Sequence, residues 1–283
     1  MDRQAEWVTK RPAPPLTPFV ERYVGYRMVG FPAGVHRGLP SRHLTFIVSI
    51  GSDIDVTRQP DLAQAPDRYR CVVGGLQASP ALIAHDGNEE GVAVELTPLG
   101  CRALLGMPAR PIWNMSVELE DVVGSVAAEL WERLQPSEAW ADRFDVCDNV
   151  LGQLVREESV PAALERSWQL LVRSRGAISV SELAATVGYT RQHFTRRFVD
   201  EFGLTPKLAG RVVRFDKARR LVEATPPFVS LAQIAAACGY YDQAHMNRDF
   251  VELAGCPPGQ LLDDEVLPSF QDDTIDDSRA WGV

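Results

Sequence analysis

The chain has 283 residues, 45% of them hydrophobic, and a formal net charge of −9; that length and apolar content suffice for two ordinary cores. No apolar run approaches the roughly 18 residues of a membrane span, and Met1-Asp2-Arg3-Gln4-Ala5-Glu6 does not resemble a signal peptide, so a cytoplasmic protein of two domains is expected. The five cysteines, Cys71, Cys101, Cys147, Cys238 and Cys256, lack any C-x-x-C spacing, which argues against structural zinc and a disulfide framework.

The charge is unevenly spread. Residues 1–160 hold 15 Lys/Arg against 22 Asp/Glu, residues 161–262 hold 13 against 9, and residues 263–283 hold 1 against 7. Phosphate neutralisation needs Lys and Arg, and only the middle segment has a cationic balance. Acidic flanks discourage non-specific sticking to nucleic acid.

In chain order, Arg11-Pro12-Ala13-Pro14-Pro15 is stiff and reads as extended. From about residue 18 to 98 the pattern is strand-rich. His43 to Ile50 alternates, with Leu44, Phe46, Val48 and Ile50 on one face, and Gly51-Ser52-Asp53 turns the chain toward Ile54 and Val56. Tyr69 to Val73 ends at Gly74-Gly75, and Ala81–His85 with Gly91–Thr97 flank Asp86-Gly87-Asn88, a hairpin signal. Short strands separated by turns predict a barrel or jelly roll. His36 and His43 do not make a metal-ligand pattern.

From about Leu99 the period becomes helical, in Cys101–Leu105, Leu119–Leu134 and Ser137–Arg156. Val122, Val123, Val126, Leu130 and Leu134 recur at helical spacing, as a core face or, alternatively, a dimer seam. Glu157 to Pro161 reads as the linker, followed by a helix with Leu164, Trp168, Leu171 and Val172. These features predict a β-rich domain with helices over 1–158 (barrel about 18–98, helices about 99–158) and a second, all-α domain over 159–262.

The second domain contains one unit twice. Ser179 with Glu182, and Ser230 with Gln233, form S-x-x-E/Q capping boxes that start a helix. Gly188 and Gly239 end it in a tight turn, and Thr190 and Asp242 cap a second helix. The two units span about 179–202 and 230–254, and the second has one extra turn residue, Tyr241. In the second helices Phe194 with Phe198, and Met246 with Phe250, form a core stripe. The opposite faces carry Arg191, Gln192, Thr195 and Arg196 in the first, and Gln243, Ala244, Asn247 and Arg248 in the second. Arg, Gln and Asn make bidentate contacts to base edges in the major groove, and Ala and Thr meet the thymine methyl; helix-turn-helix units place such faces there. His193 and His245, each three after the cap, either touch phosphate or close the turn, and Lys207 and Arg211 are further candidate phosphate contacts. A connecting helix over about 207–224, closed by Pro226-Pro227, spans roughly 27 Å, comparable with one duplex turn. Residues 263–283 form an acidic tail expected to be disordered.

On these residues, the region from about Pro161 to Leu262 resembles the DNA-binding domain of the AraC/XylS family of transcription regulators. Arg211 to Leu221 is similar to the family's R-x-x-x-A-x-x-L linker helix, and Gly203-Leu204-Thr205-Pro206 and Gly255-Cys256-Pro257-Pro258 resemble its unit endings. The resemblance implies that Gln192, Thr195, Arg196, Gln243, Asn247 and Arg248 read bases. It also implies an amino-terminal, cupin-like effector domain, whose entry Gly38-Leu39-Pro40-Ser41-Arg42-His43 and following Pro98 to Gly106 stretch look alike. The expected fold is α+β, a β-rich barrel with helices followed by the double helix-turn-helix. The expected function is DNA-binding regulation responsive to a small molecule. Double-stranded DNA, RNA polymerase and a second copy of the chain are the partners considered. No nucleophile–base set, Walker loop or G-x-G-x-x-G loop is visible, so neither an enzyme nor a cofactor is expected. The alternative is a protein-binding antagonist of weakened DNA affinity, for which the acidic balance and Asp249 speak.

Overall fold

The computed structural model describes residues 3–224 and 229–264. The Pro226-Pro227 pair and the acidic tail from residue 265 lie outside the described residues. The amino-terminal half is built from β1 (Gln4–Lys10), β2 (Val20–Val29), β3 (Gly34–Gly38), β4 (Leu44–Ser49), β5 (Ile54–Arg58), β6 (Asp67–Tyr69), β7 (Cys71–Gly74), β8 (Ala81–His85), β9 (Glu89–Leu96) and β10 (Ser116–Glu118). They form a six-stranded sheet in the order β1-β2-β9-β4-β7-β10 and a four-stranded sheet in the order β3-β8-β5-β6. Every pairing is antiparallel.

The period-two pattern explains the layering. On β4, Leu44, Phe46 and Val48 enter one core while Ile47 enters another, so this strand is buried on both faces. The core holding Ile47 lies between the sheets, with Val24, Tyr26, Val56, Val72 and Ile83. The opposite face of the large sheet is covered by α1 (Leu119–Val123), α2 (Val126–Leu134) and α3 (Trp140–Leu154).

Three expectations need correction here. The helix expected over 119–134 is two helices, because Gly124 (φ 64°, ψ −146°) breaks it. Leu130 and Leu134 are nonetheless buried, with Val122, Val123 and Val126 packed against the same core, so the apolar stripe is core. The hairpin expected around Asp86-Gly87-Asn88 is a crossover, since β8 lies in the small sheet and β9 in the large one. Its bonds go elsewhere: the Gly87 carbonyl accepts from Phe31 N at 3.2 Å and Asn88 Oδ1 from Gly30 N at 3.0 Å. Third, the proline-rich start is not uniformly extended, because Pro14–Leu16 makes one 3-10 turn; the edge strand β1 before it had no counterpart in the sequence reading.

The carboxy-terminal half comprises α4 (Ala162–Arg173), α5 (Val180–Thr186), α6 (Arg191–Phe202), α7 (Pro206–Ala224), α8 (Leu231–Ala237), α9 (Gln243–Ala254) and α10 (Pro258–Asp264). Phe194, Phe198 and Phe202 are each fully buried, with Trp168 stacked on Phe198 at 6.1 Å; burying each such ring contributes about 2–3 kcal/mol. This first unit belongs to the same core cluster as the helix-covered face of the large sheet. The second unit has its own core, with Phe215, Ile234, Met246 and Phe250. Helix α7 serves both, giving Ala209 and Val213 to the first and Val212 and Phe215 to the second.

The first unit is clamped to the amino-terminal domain at the end of α6. Arg102 makes a bidentate pair with the buried Glu201, at 2.7 and 2.8 Å, and Arg110 pairs with Asp200. A Cβ at Gly203 would lie 2.5 Å from Cβ of Trp113, so only glycine admits this approach. The second unit rests on different segments: Leu39 and Ala78 join its core, and Pro80 lies against Gly255.

Candidate nucleic-acid interface

Both units form from local signals. The Ser179 hydroxyl accepts from Glu182 N at 3.1 Å while the Glu182 carboxylate accepts from Ser179 N at 2.9 Å. The same exchange joins Ser230 and Gln233 at 3.3 and 2.8 Å. The hydrogen bonds to Ser179 also hold the Glu182 carboxyl below its ordinary pKa. Gly188 and Gly239 turn the chain at φ 73° and 76°, a region that costs an L-residue roughly 1–2 kcal/mol. Thr190 then accepts from His193 N at 3.3 Å and Asp242 from His245 N at 2.6 Å, starting α6 and α9.

With Phe194, Phe198, Met246 and Phe250 anchored in the cores, helical geometry turns the intervening residues outward. Arg191, Gln192 and Arg196 are exposed on α6, and Gln243, Ala244 and Arg248 on α9; Thr195 and Asn247 are half-buried. Arg191, Gln192, Thr195 and Arg196 line one shallow groove with Val199 and Asp200. Arg197, which the sequence reading did not single out, is also exposed, one position beyond the expected face. Tyr241, the extra turn residue, is 93% exposed.

The histidines occupy equivalent places. His193 meets Tyr189 edge-on at 4.8 Å and His245 meets Tyr240 at 5.2 Å, while His193 Nδ1 lies 3.4 Å from Arg196 Nη2. Each ring is therefore packed against its own turn, with the backbone N–H donated to the cap. Lys207 is exposed in the first turn of α7.

Arg211 has a different position from the one expected. Its Nε and Nη2 donate to Asp249 Oδ1 at 3.0 and 2.7 Å, and Nη2 also pairs with Glu252. The guanidinium is thus turned toward α9. Asp249 is 3% exposed, so its charge lies inside the second unit and not on the outward face. Burial, then the Asp249 carboxylate, push the adjacent Tyr240 phenol well above its usual pKa. Sequence spacing gives no sign of this cross-helix set, since Arg211 and Asp249 are 38 positions apart.

In the amino-terminal domain, His43 is buried, with Nε2 3.3 Å from Glu21 and Nδ1 3.5 Å from Glu95. Hydrogen bonding to His43 pulls the Glu21 carboxyl down to about 2. His36 lies 5.7 Å from His85, ring to ring. Among the described residues no group of three or more His, Cys, Asp or Glu is placed to hold a metal, and no helix is long and apolar enough to cross a membrane.

Residues 163–264 match the protein family described as a helix-turn-helix domain, and residues 9–118 match a domain of unknown function, DUF6597. The HTH-type transcriptional regulator Rv1931c of Mycobacterium tuberculosis is 38% identical over 88 residues, covering 31% of this chain and 33% of that protein. The shared region is thus about a third of that relative's length. Among solved structures, ToxT from Vibrio cholerae aligns over 95% of this chain and 100% of its own, with TM-score 0.51 and 11% identity. Apo ToxT from Vibrio cholerae strain SCE256 aligns over 86% and 96%, with TM-score 0.50 and 13% identity. At such identities the likeness is one of fold, a β-rich amino-terminal domain followed by helices. Together with the two capped units, the family match makes the carboxy-terminal domain of this chain a helix-turn-helix domain of the AraC type.

Proposed function

We propose that this chain is a sequence-specific, DNA-binding transcription regulator. It comprises a sensor domain over 1–158 and a DNA-binding domain over 159–262, and the sensor domain responds to a small-molecule effector. The observation that carries the reading is the duplicated, capped reader helix, buried on its aromatic side and exposed on its Arg/Gln side. In this reading Arg191, Gln192, Thr195 and Arg196 of α6, and Gln243, Ala244, Asn247 and Arg248 of α9, address base edges in two adjacent major grooves. Lys207, exposed in the first turn of α7, would meet phosphate, while the His193 and His245 rings, packed on Tyr189 and Tyr240, close their turns. The regulator name of the Mycobacterium relative supports the reading over the shared third. Asp249 no longer speaks for the antagonist alternative, because its carboxylate is occupied internally. Any effector acts by binding one of two arrangements of the domains more tightly than the other.

The test is titration against a selected operator and against random DNA. Arg196→Ala and Arg248→Ala are each expected to weaken operator binding by about 1–3 kcal/mol and to relax preference at one base pair. An equal loss on random DNA would contradict base reading by these side chains.

A further inference from the structure

The outward faces of the two reader helices hold cations without carboxylates. Deeper in the same domain the guanidinium groups are paired, Arg211 with Asp249 and Glu252, Arg219 with Asp216 and Glu223, and Arg220 with Asp216. Among the described residues Arg191, Arg197 and Arg248 make no such pair, and Arg196 meets only the His193 ring. The acids nearest in sequence are already engaged: Asp200 by Arg110, Glu201 by Arg102, Asp249 by Arg211, and Asp242 by the His245 N–H.

The chain beyond α10 has the complementary charge. Residues 265–283 carry Glu265, Asp272, Asp273, Asp276 and Asp277 against Arg279 alone. Helix α10 delivers them beside the second reader, because its Leu261 is buried in one core with Met246 and Phe250 of α9, and Arg248 is exposed on that same helix. A chain spans at most about 3.3–3.6 Å per residue, so Asp272 can lie up to about 26–29 Å from the end of α10, and Asp277 up to about 43–47 Å. Arg248 stands about 9 Å along α9 from its end at Ala254. The first reader is about 34 Å further if the two address adjacent grooves. The acidic cluster is long enough to reach both.

Exposed ion pairs are individually weak and are screened by salt, so the same contact between separate molecules would be slight. The covalent tether changes this, because a short linker holds its segment at an effective concentration of about millimolar. We propose that residues 265–283 lie across the outward faces of α6 and α9 when no nucleic acid is bound, their carboxylates against Arg191, Arg196, Arg197 and Arg248, so that the chain carries its own competitor for these faces. Phosphate must then displace the tail, and the apparent affinity for DNA falls in proportion to the fraction of chains whose faces are free. The docking stands on charge and reach; its consequence for DNA rests on the regulator reading above.

The experiment has one arm without DNA and one with it. In the first, the full chain carrying Asp272→Asn, Asp273→Asn, Asp276→Asn and Asp277→Asn is titrated against a fluorescein-labelled peptide of residues 265–283, read by anisotropy at about 10 mM salt, where the screening length is about 30 Å. The peptide should bind, at least threefold more weakly to wild type, whose own tail competes, and should be released at about 1 M salt. Adding Arg196→Ala with Arg248→Ala should weaken it at least threefold. Arg58→Ala with Arg156→Ala, an equal loss of exposed positive charge from the amino-terminal domain, should not. In the second arm the neutralised chain should bind a random-sequence duplex at least threefold more tightly than wild type at low salt, the two converging as salt rises. Glu120→Gln, Asp121→Asn, Glu132→Gln and Asp142→Asn together, an equal change of charge at exposed positions of the amino-terminal domain, should leave that affinity within twofold. No peptide binding, equal weakening by both arginine pairs, an equal gain from both sets of neutralised acids, or an unchanged affinity in a chain that binds DNA overturns the proposal. Peptide binding by a chain that binds no DNA upholds the docking and sinks the regulator reading instead.

Discussion

Arg211→Ala separates two roles for one side chain. If Arg211 holds Asp249, its removal leaves a carboxylate 3% exposed without its main cation. Breaking a fully buried pair in this way costs about 3–5 kcal/mol. The pair here is partly open, since the Arg211 side chain is 29% exposed and that of Glu252 60%, so water reaches one side. The expected loss is then about 2–3 kcal/mol, the upper part of the single-substitution range, seen as a lower urea midpoint at unchanged m-value. Replacing both residues, as Arg211→Ala with Asp249→Leu, should recover much of it, because the stranded charge is gone. The second assay is the salt dependence of DNA binding, in which each phosphate contact contributes about 0.9 to the slope of log K against log salt. Arg211→Ala should leave that slope unchanged. Full stability together with a slope reduced by about one would refute the inward role and return Arg211 to the DNA face.

Other outcomes follow from the geometry. Arg102→Ala strands the buried Glu201 and should speed hydrogen exchange at the last turn of α6 without affecting α8 or α9; unchanged exchange there would count against the clamp. Glu89 is pushed up to about 7, by burial and then by Asp86. A raised carboxyl destabilises the fold above that value, and its cost fades as pH falls toward its ordinary pKa of 4.5. Glu89→Gln should therefore raise the melting temperature at pH 8 and change it little at pH 4, and the reverse order would contradict the assignment. Gly188→Ala meets nothing within 4 Å, so its cost should be the backbone term alone, about 1–2 kcal/mol, measurable by urea unfolding; a neutral effect would mean that the turn adapts.

What was legible in the sequence was local. The capping boxes at Ser179 and Ser230, the turn glycines and the outward Arg/Gln sets depend on residues three or four apart, within reach of spacing rules. The connecting helix was read to within one residue, beginning at Pro206 and not Lys207. Illegible were the features set by distant partners. Asp249 looks like a surface charge until Arg211 is placed beside it, and the Asp86-Gly87-Asn88 turn looks like a hairpin until its strands are assigned to different sheets. The break at Gly124 was visible as a glycine in a helical pattern, but a single glycine is tolerated too often to decide the matter. β1 escaped because most of its residues are exposed, leaving no alternation to detect. Leu39 was noticed only as part of a resemblance to the family's sensor domain; that it completes the core of a helix 200 positions later is a tertiary fact.

The single helix α7, sunk into two separate cores, works as a caliper with a fixed gauge. Neither jaw can slide without emptying one of the cores. In the proposed reading, one base pair inserted between two half-sites would rotate the second by roughly 35°, at about 10–10.5 per turn, out of reach of two readers held at one spacing.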